Sequence, residues 1–384
     1  MKVVFLGNNL SIHQKPLSDA MYSQLGDGYT FIATKPMDQE RLDMGWKDFS
    51  NETPYVLSVT EENIDLVKDK ISSADAVIIG AAKTSWIEDR LKSGKLVFRY
   101  QERPFKRNNF LGWFNLKALY STYKTAYKWR KKNYYLLGAS AYSYCDFYKL
   151  GCFRKKALKF GYFINPISNE YVERTNQIPQ ITWIGRHIKT KHCEMVLKSA
   201  KFLKEQSINA KFTIVGHGKL SEKLKKLCKK LDVEDVVKFI PVIPNEEIKE
   251  LLLNSDVHLA TSDFNEGWGV VVNESLSAGC LVIASKQMGS VPYLIEHGKN
   301  GLIFDVNKQS QLNEYLKTVV LDKNLRAKLG ANAVETMKDV WSPQNTAKNL
   351  ISVINKILEG EFVFGKDVFV KQPCSSAWVS KRGK

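Results

Sequence analysis

The sequence predicts an α/β protein of two domains, each built around a mostly parallel sheet with helices on both faces. Three observations predict this class. Short apolar runs that suit buried strands alternate with helical stretches, and several of these runs end in glycine-containing loops. The 384 residues are enough for two domains of ordinary size. An apolar fraction of 44% with 25% charged residues is that of a globular chain.

The first domain is predicted over residues 1–165. Its first apolar run, Val3 to Gly7, leads into the loop Gly7-Asn8-Asn9, as the first strand of a Rossmann-like domain does. Helical stretches such as Glu61 to Ser72 separate the other runs. Five further strands are predicted at Tyr29–Ala33, Tyr55–Val59, Ala76–Ala81, Leu96–Tyr100 and Tyr134–Gly138.

Loops at the carboxyl ends of these strands are the expected ligand-binding positions of the first domain. The first loop offers Gly7, Asn8 and His13, and Asn8 is a residue type that tolerates a left-handed backbone. Glu102 follows the strand Leu96–Tyr100. Two interpretations of His13 remain open, a surface loop residue or a contact to an acceptor or a phosphate.

The positive charge is concentrated in residues 99–132, which contain ten Lys or Arg, one acidic residue and nine aromatics. If Trp113–Lys132 is one helix, an aromatic stripe runs beside a row of lysines. The stripe is Trp113, Leu116, Tyr120, Tyr123 and Tyr127, and the row is Lys117, Lys124, Lys128 and Lys131. This pattern suits an anionic membrane surface. The alternative is that the stripe packs on the core. We expect no nucleic-acid partner, because no recognised nucleic-acid module accompanies the patch.

A linker is predicted over 166–180, where turn-forming residues show no periodicity. The second domain is predicted over 181–340. Residues 341–384 contain a helix from Pro343 to Leu358 and a basic tail for which we expect no regular structure.

The stretch from Ser262 to Gly279 is the most informative part of the second domain. A short buried strand, Asp256–Ala260, leads into a loop with Gly267 and Gly269, and a helix begins near Val270. The glycines let the loop backbone approach a ligand, and free helix-start N–H groups can receive an anionic or oxygen-rich group. We expect Glu266 at the mouth of the loop and Glu274 about two turns inside the helix.

This stretch resembles the E-x7-E signature of retaining glycosyltransferases of family 4, with Glu266 and Glu274 as its two glutamates around Gly-Trp-Gly. Upstream, Gly185, Arg186 and Lys191 resemble the family's G-R-x-x-x-x-K-G motif, and His192 stands in place of its last glycine. Val215-Gly216-His217-Gly218 is similar to the family's V-G-x-G. The resemblance extends over about Ile181–Leu350.

The resemblance implies the GT-B fold: two Rossmann-like domains facing each other across a cleft, with the last helix crossing back to the first domain near Trp341. It implies that Arg186 and Lys191 bind the donor diphosphate, and that Glu274 binds the nucleotide ribose. Glu266 and the adjacent loop amides would hold the donor sugar. The implied substrate contacts also include Gly267, Trp268, Gly269, Val270, Gly216, and Val242 near the nucleobase. Two interpretations of Gly289 and Ser290 remain open: their backbone amides donate to the diphosphate, or the two residues only form a turn.

The implied reaction transfers a sugar from a nucleotide-diphosphate sugar to an acceptor hydroxyl with retention, without a metal or other cofactor. Whether the acceptor proton passes to the leaving phosphate or to a side chain such as Glu102 stays open. Two alternatives are a nucleotide-sugar epimerase of the same fold and a non-catalytic protein that binds nucleotide sugars or membranes.

The chain has no run of 18 apolar residues and no signal peptide cleavage site, so we expect a cytoplasmic protein. Whether it is also peripheral on the inner face of the plasma membrane stays open with the two interpretations of residues 99–132. The six cysteines form no Cys-x2-Cys pair and suit reduced thiols. The basic, aromatic first domain suggests a lipid-linked or saccharide acceptor, as in bacterial surface polysaccharide or glycolipid assembly.

Overall fold

The chain forms two parallel sheets, each in its own unit. In this computed structural model, which describes residues 1–39, 47–50, 52–105 and 115–378, the N-terminal unit comprises Met1–Asn165 and Trp341–Lys384. The C-terminal unit comprises Pro166–Val340. The last helix therefore returns to the N-terminal unit, as predicted, and the return begins at Trp341.

The N-terminal sheet contains seven strands among the described residues, all paired in parallel. They are β1 Val3–Gly7, β2 Tyr29–Ala33, β3 Val56–Ser58, β4 Ala76–Ile79, β5 Val97–Gln101, β6 Tyr134–Gly138 and β7 Ala157–Lys159. Their order across the sheet is β3-β2-β1-β4-β5-β6-β7. The strand order therefore reverses between β1 and β4, and such a switch point opens a crevice at the carboxyl ends of the two strands.

The C-terminal sheet repeats this topology with six strands. They are β8 Gln180–Ile184, β9 Lys211–Val215, β10 Val237–Ile240, β11 Val257–Ala260, β12 Leu281–Ser285 and β13 Leu302–Phe304. Their order is β10-β9-β8-β11-β12-β13, all parallel, so the switch point lies between β8 and β11.

Helices connect the strands, and each sheet contributes to its own buried apolar core. Proline in the first turn starts the first and last helices, and the Ser342 hydroxyl accepts a hydrogen bond from the Asn345 amide at the start of the last one. In chain order the α-helices are α1 Lys15–Leu25, α2 Ile64–Ser73, α3 Glu88–Lys92, α4 Leu116–Thr125, α5 Ser143–Lys149, α6 Glu194–Glu205, α7 Ser221–Lys230, α8 Asn245–Leu253, α9 Val271–Ser277, α10 Val291–Leu294, α11 Gln309–Leu321, α12 Lys323–Glu335 and α13 Pro343–Leu358. Within the described ranges, none is long and apolar enough to cross a membrane.

The helix predicted over Trp113–Lys132 is shorter than expected. It ends at Thr125, Ala126 leaves the helical conformation with φ −133°, and a 3-10 turn follows at Tyr127–Trp129. Trp113 lies outside the described residues. The hydroxyls of Thr122 and Thr125 donate to the carbonyls four residues earlier, which weakens a helix end. The turn also directs Trp129 into the core of the N-terminal unit.

The segment predicted as a linker, 166–180, packs on the C-terminal unit. Arg174 is buried there and donates to the carbonyls of Val172 and Ala278. The Ile167 amide donates to the Ser277 hydroxyl at 2.7 Å. Segment and unit therefore share hydrogen bonds, so 166–180 is not a free connection.

The tail after α13, which the structure describes as far as residue 378, contacts the N-terminal sheet. It forms an antiparallel bridge between Ser376 and Leu158 on β7, a strand that the sequence analysis missed. The buried ammonium of Lys159 donates to the carbonyls of Val368 and Val370, both at 2.7 Å. These hydrogen bonds hold the tail on the edge of the N-terminal sheet.

Candidate active site

The switch point of the C-terminal sheet brings two predicted loops together. Val257 of β11 pairs with Ile181 of β8, so the loops that leave the carboxyl ends of these strands lie side by side. The first loop carries Arg186, Lys191 and His192, and the second carries Glu266. The strand pairing thus explains why motifs some eighty residues apart meet at one sheet edge.

The two predicted phosphate-binding cations stand in different environments. Arg186 is exposed, and no carboxylate of the described residues forms an ion pair with it. Lys191 is largely buried at the end of a 3-10 turn, and its ammonium forms an ion pair with Glu266. The Ser262 hydroxyl donates to the same Glu266 oxygen at 3.2 Å. Arg186 is therefore open to an anionic ligand, while Lys191 and Glu266 orient each other.

His192, which replaces the family's glycine, adopts the left-handed conformation that a glycine would supply, with φ 48° and ψ 41°. Its Nδ1 lies 2.9 Å from Glu194 Oε1 and its Nε2 3.3 Å from Asp263 Oδ2. Hydrogen bonds to Asp263 and Glu194 raise the pKa of His192 to about 9. The ring is therefore protonated at neutral pH and donates to both carboxylates.

The loop after Glu266 requires glycine at one position in particular. Gly269 has φ 88°, and a Cβ there would lie 2.4 Å from the Met288 side chain and 3.4 Å from Glu266. Any other residue would be strained by this backbone conformation and would displace the Met288 side chain. Gly267 is buried beside it, and Val270 is the residue that precedes α9.

Trp268 does not present its side chain to a ligand. The indole is 1% exposed, packs near Tyr293 and donates to Asn273 Oδ1 at 2.8 Å. The indole forms part of the core beneath the loop, so a substrate contact of Trp268 stays a prediction for its backbone alone.

Glu274 lies in the first turn of α9 rather than two turns inside it, because the helix begins only at Val271. Burial raises the pKa of Glu274, and the charge of Lys249 opposes this shift. No group within the described part of the chain donates a hydrogen bond to its carboxylate. A half-buried carboxylate of this kind is suited to accept hydrogen bonds from a hydroxylated ligand.

The remaining predicted positions of the C-terminal unit differ in accessibility. Gly216, with φ 137°, lets the loop after β9 touch the loop after β8, since a Cβ would lie 2.0 Å from the Gly185 carbonyl oxygen. Val242 is 72% exposed after β10. Gly289 and Ser290 are buried, and the Ser290 amide already donates to the Trp268 carbonyl at 3.1 Å. The predicted amide donation from Ser290 to a diphosphate would therefore need this bond to break.

In the N-terminal unit, Asn8 lies in the loop after β1. It is not one of the described residues with positive φ, so the loop forms without a left-handed backbone at this position. Its backbone is held by a bond from the Lys35 amide to the Asn8 carbonyl at 2.8 Å. Gly7 is buried at the end of β1, and a Cβ there would lie 2.6 Å from the Phe31 ring. The loop therefore does not use the left-handed backbone that Asn8 would tolerate, and a substrate contact of Gly7 or Asn8 stays a prediction.

Tyr162 joins the two other predicted residues of this unit. Its hydroxyl donates to Glu102 Oε1 at 3.0 Å, and its ring lies 5.6 Å from the His13 ring. The loop that carries Glu102 is fixed by a fully buried ion pair between Arg103 and Asp146. The sequence analysis missed Tyr162 because its neighbour β7 was not predicted. Among described residues, no three His, Cys, Asp or Glu side chains gather as a metal site.

The comparisons with known proteins agree with this fold. Residues 169–336 match the family model described as glycosyl transferases group 1. An uncharacterized glycosyltransferase of Methanocaldococcus jannaschii is 27% identical over 179 residues, which cover 47% of this chain and 45% of that protein. The amylovoran biosynthesis glycosyltransferase AmsK of Erwinia amylovora is 32% identical over 127 residues, or 32% of this chain and 31% of AmsK. The matched region thus spans less than half of each relative.

Among solved structures, HepE of Anabaena in complex with UDP superposes with a TM-score of 0.68 at 15% sequence identity. The superposition covers 93% of this chain and 100% of HepE. The fold is therefore GT-B, as the sequence resemblance implied. Together with the family model, it supports a glycosyltransferase of group 1.

Proposed function

We propose that this protein is a retaining glycosyltransferase of family 4 that transfers a sugar from a nucleotide-diphosphate sugar to an acceptor hydroxyl. One observation carries the proposal. At the β8–β11 switch point, Arg186 and the ion pair of Lys191 with Glu266 lie on adjoining loops, and half-buried Glu274 lies in the first turn of the helix that follows. Among the described residues, Arg186 has no carboxylate partner and Glu274 has no hydrogen-bond donor. Cations suit a diphosphate, and carboxylates suit the hydroxyls of a sugar and a ribose.

In the proposed reaction the bond between the anomeric carbon and the diphosphate oxygen breaks, and its electrons go to the departing diphosphate. The acceptor oxygen forms the new bond on the same face of the sugar. Arg186 and Lys191 stabilise the charge that develops on the diphosphate, which is electrostatic catalysis by preorganised groups. The acceptor proton goes to the leaving phosphate oxygen or to a basic group beside the acceptor.

Glu266 orients the donor sugar, and Glu274 binds the ribose. The ion pair between Lys191 and Glu266 supports the roles proposed for these two residues. A donor bound there would have its diphosphate at Lys191 and its sugar at Glu266. UDP is the first nucleotide to test, since HepE binds it. Arg186 and Lys191 supply the charge that a metal would otherwise supply, so we propose that neither donor binding nor turnover needs a metal.

The acceptor that we propose is lipid-linked or saccharide, in polysaccharide or glycolipid assembly at a membrane. AmsK acts in amylovoran biosynthesis, which supports this direction. In the N-terminal unit, α4 leaves Leu116, Tyr120 and Tyr123 between 53% and 77% exposed. Exposed lysines accompany them, so we propose that this face binds an anionic membrane surface.

The test of the enzyme proposal is turnover of UDP-sugars in EDTA by wild type and Glu266→Ala, followed as UDP release. We expect Glu266→Ala to lose at least a hundredfold in turnover while still binding UDP, because its interaction with the reacting sugar is lost. Preorganised groups that stabilise a transition state each contribute about 3 kcal/mol. Glu247→Ala, an exposed glutamate on α8, is the matched control.

Three results of this experiment would contradict the proposal. Unchanged turnover in Glu266→Ala would remove its role. Conversion of the donor sugar without transfer would indicate the epimerase alternative, and UDP-sugar binding without any turnover across an acceptor panel would indicate a binding protein.

A further inference from the structure

The loops after β8 and β11 are joined by a backbone hydrogen bond and by a hydrogen bond from a side chain. The Asp263 amide donates to the Thr190 carbonyl at 3.0 Å, and the Thr261 hydroxyl donates to the Lys191 carbonyl at 2.7 Å. These bonds fix the main chain on both sides of Lys191. The side chains of Lys191 and Glu266 hold each other in an ion pair, and that pair depends on how closely the two loops are held together.

His192 supplies a charged link between the same two loops. Its ring bonds to Asp263 in the loop after β11 and to Glu194 in the first turn of α6. The side chain is 25% exposed, as is that of Asp263. This partial burial makes the interaction less screened than that of a surface ion pair.

We propose that His192 is a positioning residue, whose protonated ring clamps the Lys191 loop to the Glu266 loop and so aligns the Lys191–Glu266 pair for the donor diphosphate. The inference rests on the proposed function for its effect on the donor, but the clamp itself does not. Where the family motif carries glycine, this chain keeps the left-handed turn and adds a cation with two carboxylate partners.

The left-handed conformation supports a specific role for the ring. A residue other than glycine, Asn or Asp is disfavoured there, because its Cβ comes close to the following carbonyl oxygen. The two hydrogen bonds of the ring oppose that cost, which a glycine would avoid altogether. Phe153, Lys155, Ser207, Asp232 and Cys374 are the other non-glycine residues with positive φ in the described ranges, and none of them lies in these two loops.

The charge on the ring sets the pH range of the clamp. The charged groups around it are Glu194 and Lys198 on α6, Asp263 after β11, and the Lys191–Glu266 pair beside it. A histidine whose folded pKa is raised contributes stability that is complete below its ordinary value of 6.5 and is lost as the pH rises through about 9. The clamp should therefore hold at neutral pH and open in mild alkali.

The experiment compares wild type with His192→Gly and His192→Asn, both of which accept a left-handed turn and carry no charge. UDP affinity is measured by calorimetry at pH 7.5 and pH 10. At pH 7.5 we expect both variants to bind UDP about fivefold more weakly, the size expected for one partly buried ion pair. At pH 10 their affinities should equal that of wild type. Lys189→Gln, which removes an exposed cation from the same turn, controls for net charge.

Thermal unfolding of the same proteins from pH 6 to pH 10 tests the clamp without a nucleotide. The deficit of His192→Asn relative to wild type should be greatest near pH 6 and disappear near pH 10. A deficit that does not change with pH, or equal UDP affinity of all proteins at pH 7.5, would overturn the inference. If wild type binds no UDP while the pH-dependent deficit is present, the donor assignment fails and the clamp stands.

Discussion

Glu274 is a carboxylate that the protein half buries without a hydrogen-bond donor among the described residues. Burial raises its pKa, so the ionised form at neutral pH is held at a cost to folding. Groups of this kind concentrate at functional sites, where a ligand supplies the missing donors. The ribose hydroxyls of a nucleotide would do so.

We expect Glu274→Gln to bind UDP about 10- to 100-fold more weakly, since hydrogen bonds to a charged acceptor contribute about 1.5–3 kcal/mol. Its thermal stability at pH 8 should equal or exceed that of wild type. The reason is that a carboxylate with a raised folded pKa destabilises the protein once the pH is above the group's ordinary value of 4.5. Calorimetry and thermal unfolding measure the two effects, with Glu247→Gln as control. Equal loss of both affinity and stability would indicate a purely structural glutamate.

Much of the candidate site follows from residue types and spacing, and the exceptions have physical causes. Arg186, Lys191, Glu266 and Glu274 were found because a short motif fixes each one locally. The burial of Trp268 depends on packing against distant residues such as Tyr293, which spacing does not show. The two carboxylate partners of His192 and the contact between Tyr162 and Glu102 likewise arise only from the fold.

Helix α4 has an exposed face that packs against no partner among the described residues of its unit. The sequence left open whether its aromatic stripe packs on the core. Thr122, Ala126 and Trp129 are the buried residues of this region, whereas Leu116, Tyr120 and Tyr123 are exposed. The Lys124 ammonium lies 4.5 Å from the Tyr120 ring centroid, so cation and ring are presented together.

We expect replacement of Lys117, Lys124, Lys128 and Lys131 by glutamine to abolish most binding to anionic vesicles at low salt. Each basic residue near such a surface contributes about 1 kcal/mol. Vesicle flotation with phosphatidylglycerol and with phosphatidylcholine alone measures the effect. The matched control replaces Lys223, Lys226, Lys229 and Lys230 on α7, which removes the same charge from the other unit. Similar losses in both quadruple variants would mean that net charge, not this face, attracts the membrane.

The elements that the sequence analysis missed or misjudged lie at the edge of the N-terminal sheet. Strand β7 has only three residues, so no alternation marks it. Contacts with this strand hold the tail in place, above all the hydrogen bonds of the buried Lys159. The sequence could not show these bonds, because a lysine is usually expected at the surface. Helix α4 ended early because its threonines and the buried Trp129 override the helical periodicity.

The α/β class of the whole molecule could be predicted because its long strands are apolar runs, and the GT-B fold because the loops at the C-terminal switch point carry motifs that resemble a known family. Both sheets share one strand order around their switch points, and the last helix returns to the first unit. We propose that the C-terminal unit binds a nucleoside diphosphate through Arg186, Lys191 and Glu274 without a metal.

The most direct test is calorimetric titration of wild type and Arg186→Gln with UDP, GDP and ADP in the presence of EDTA. We expect one diphosphate to bind wild type, and Arg186→Gln to bind it at least about tenfold more weakly, because a bidentate charged contact is lost. Failure of all three diphosphates to bind wild type, or equal affinity of Arg186→Gln, would contradict the account.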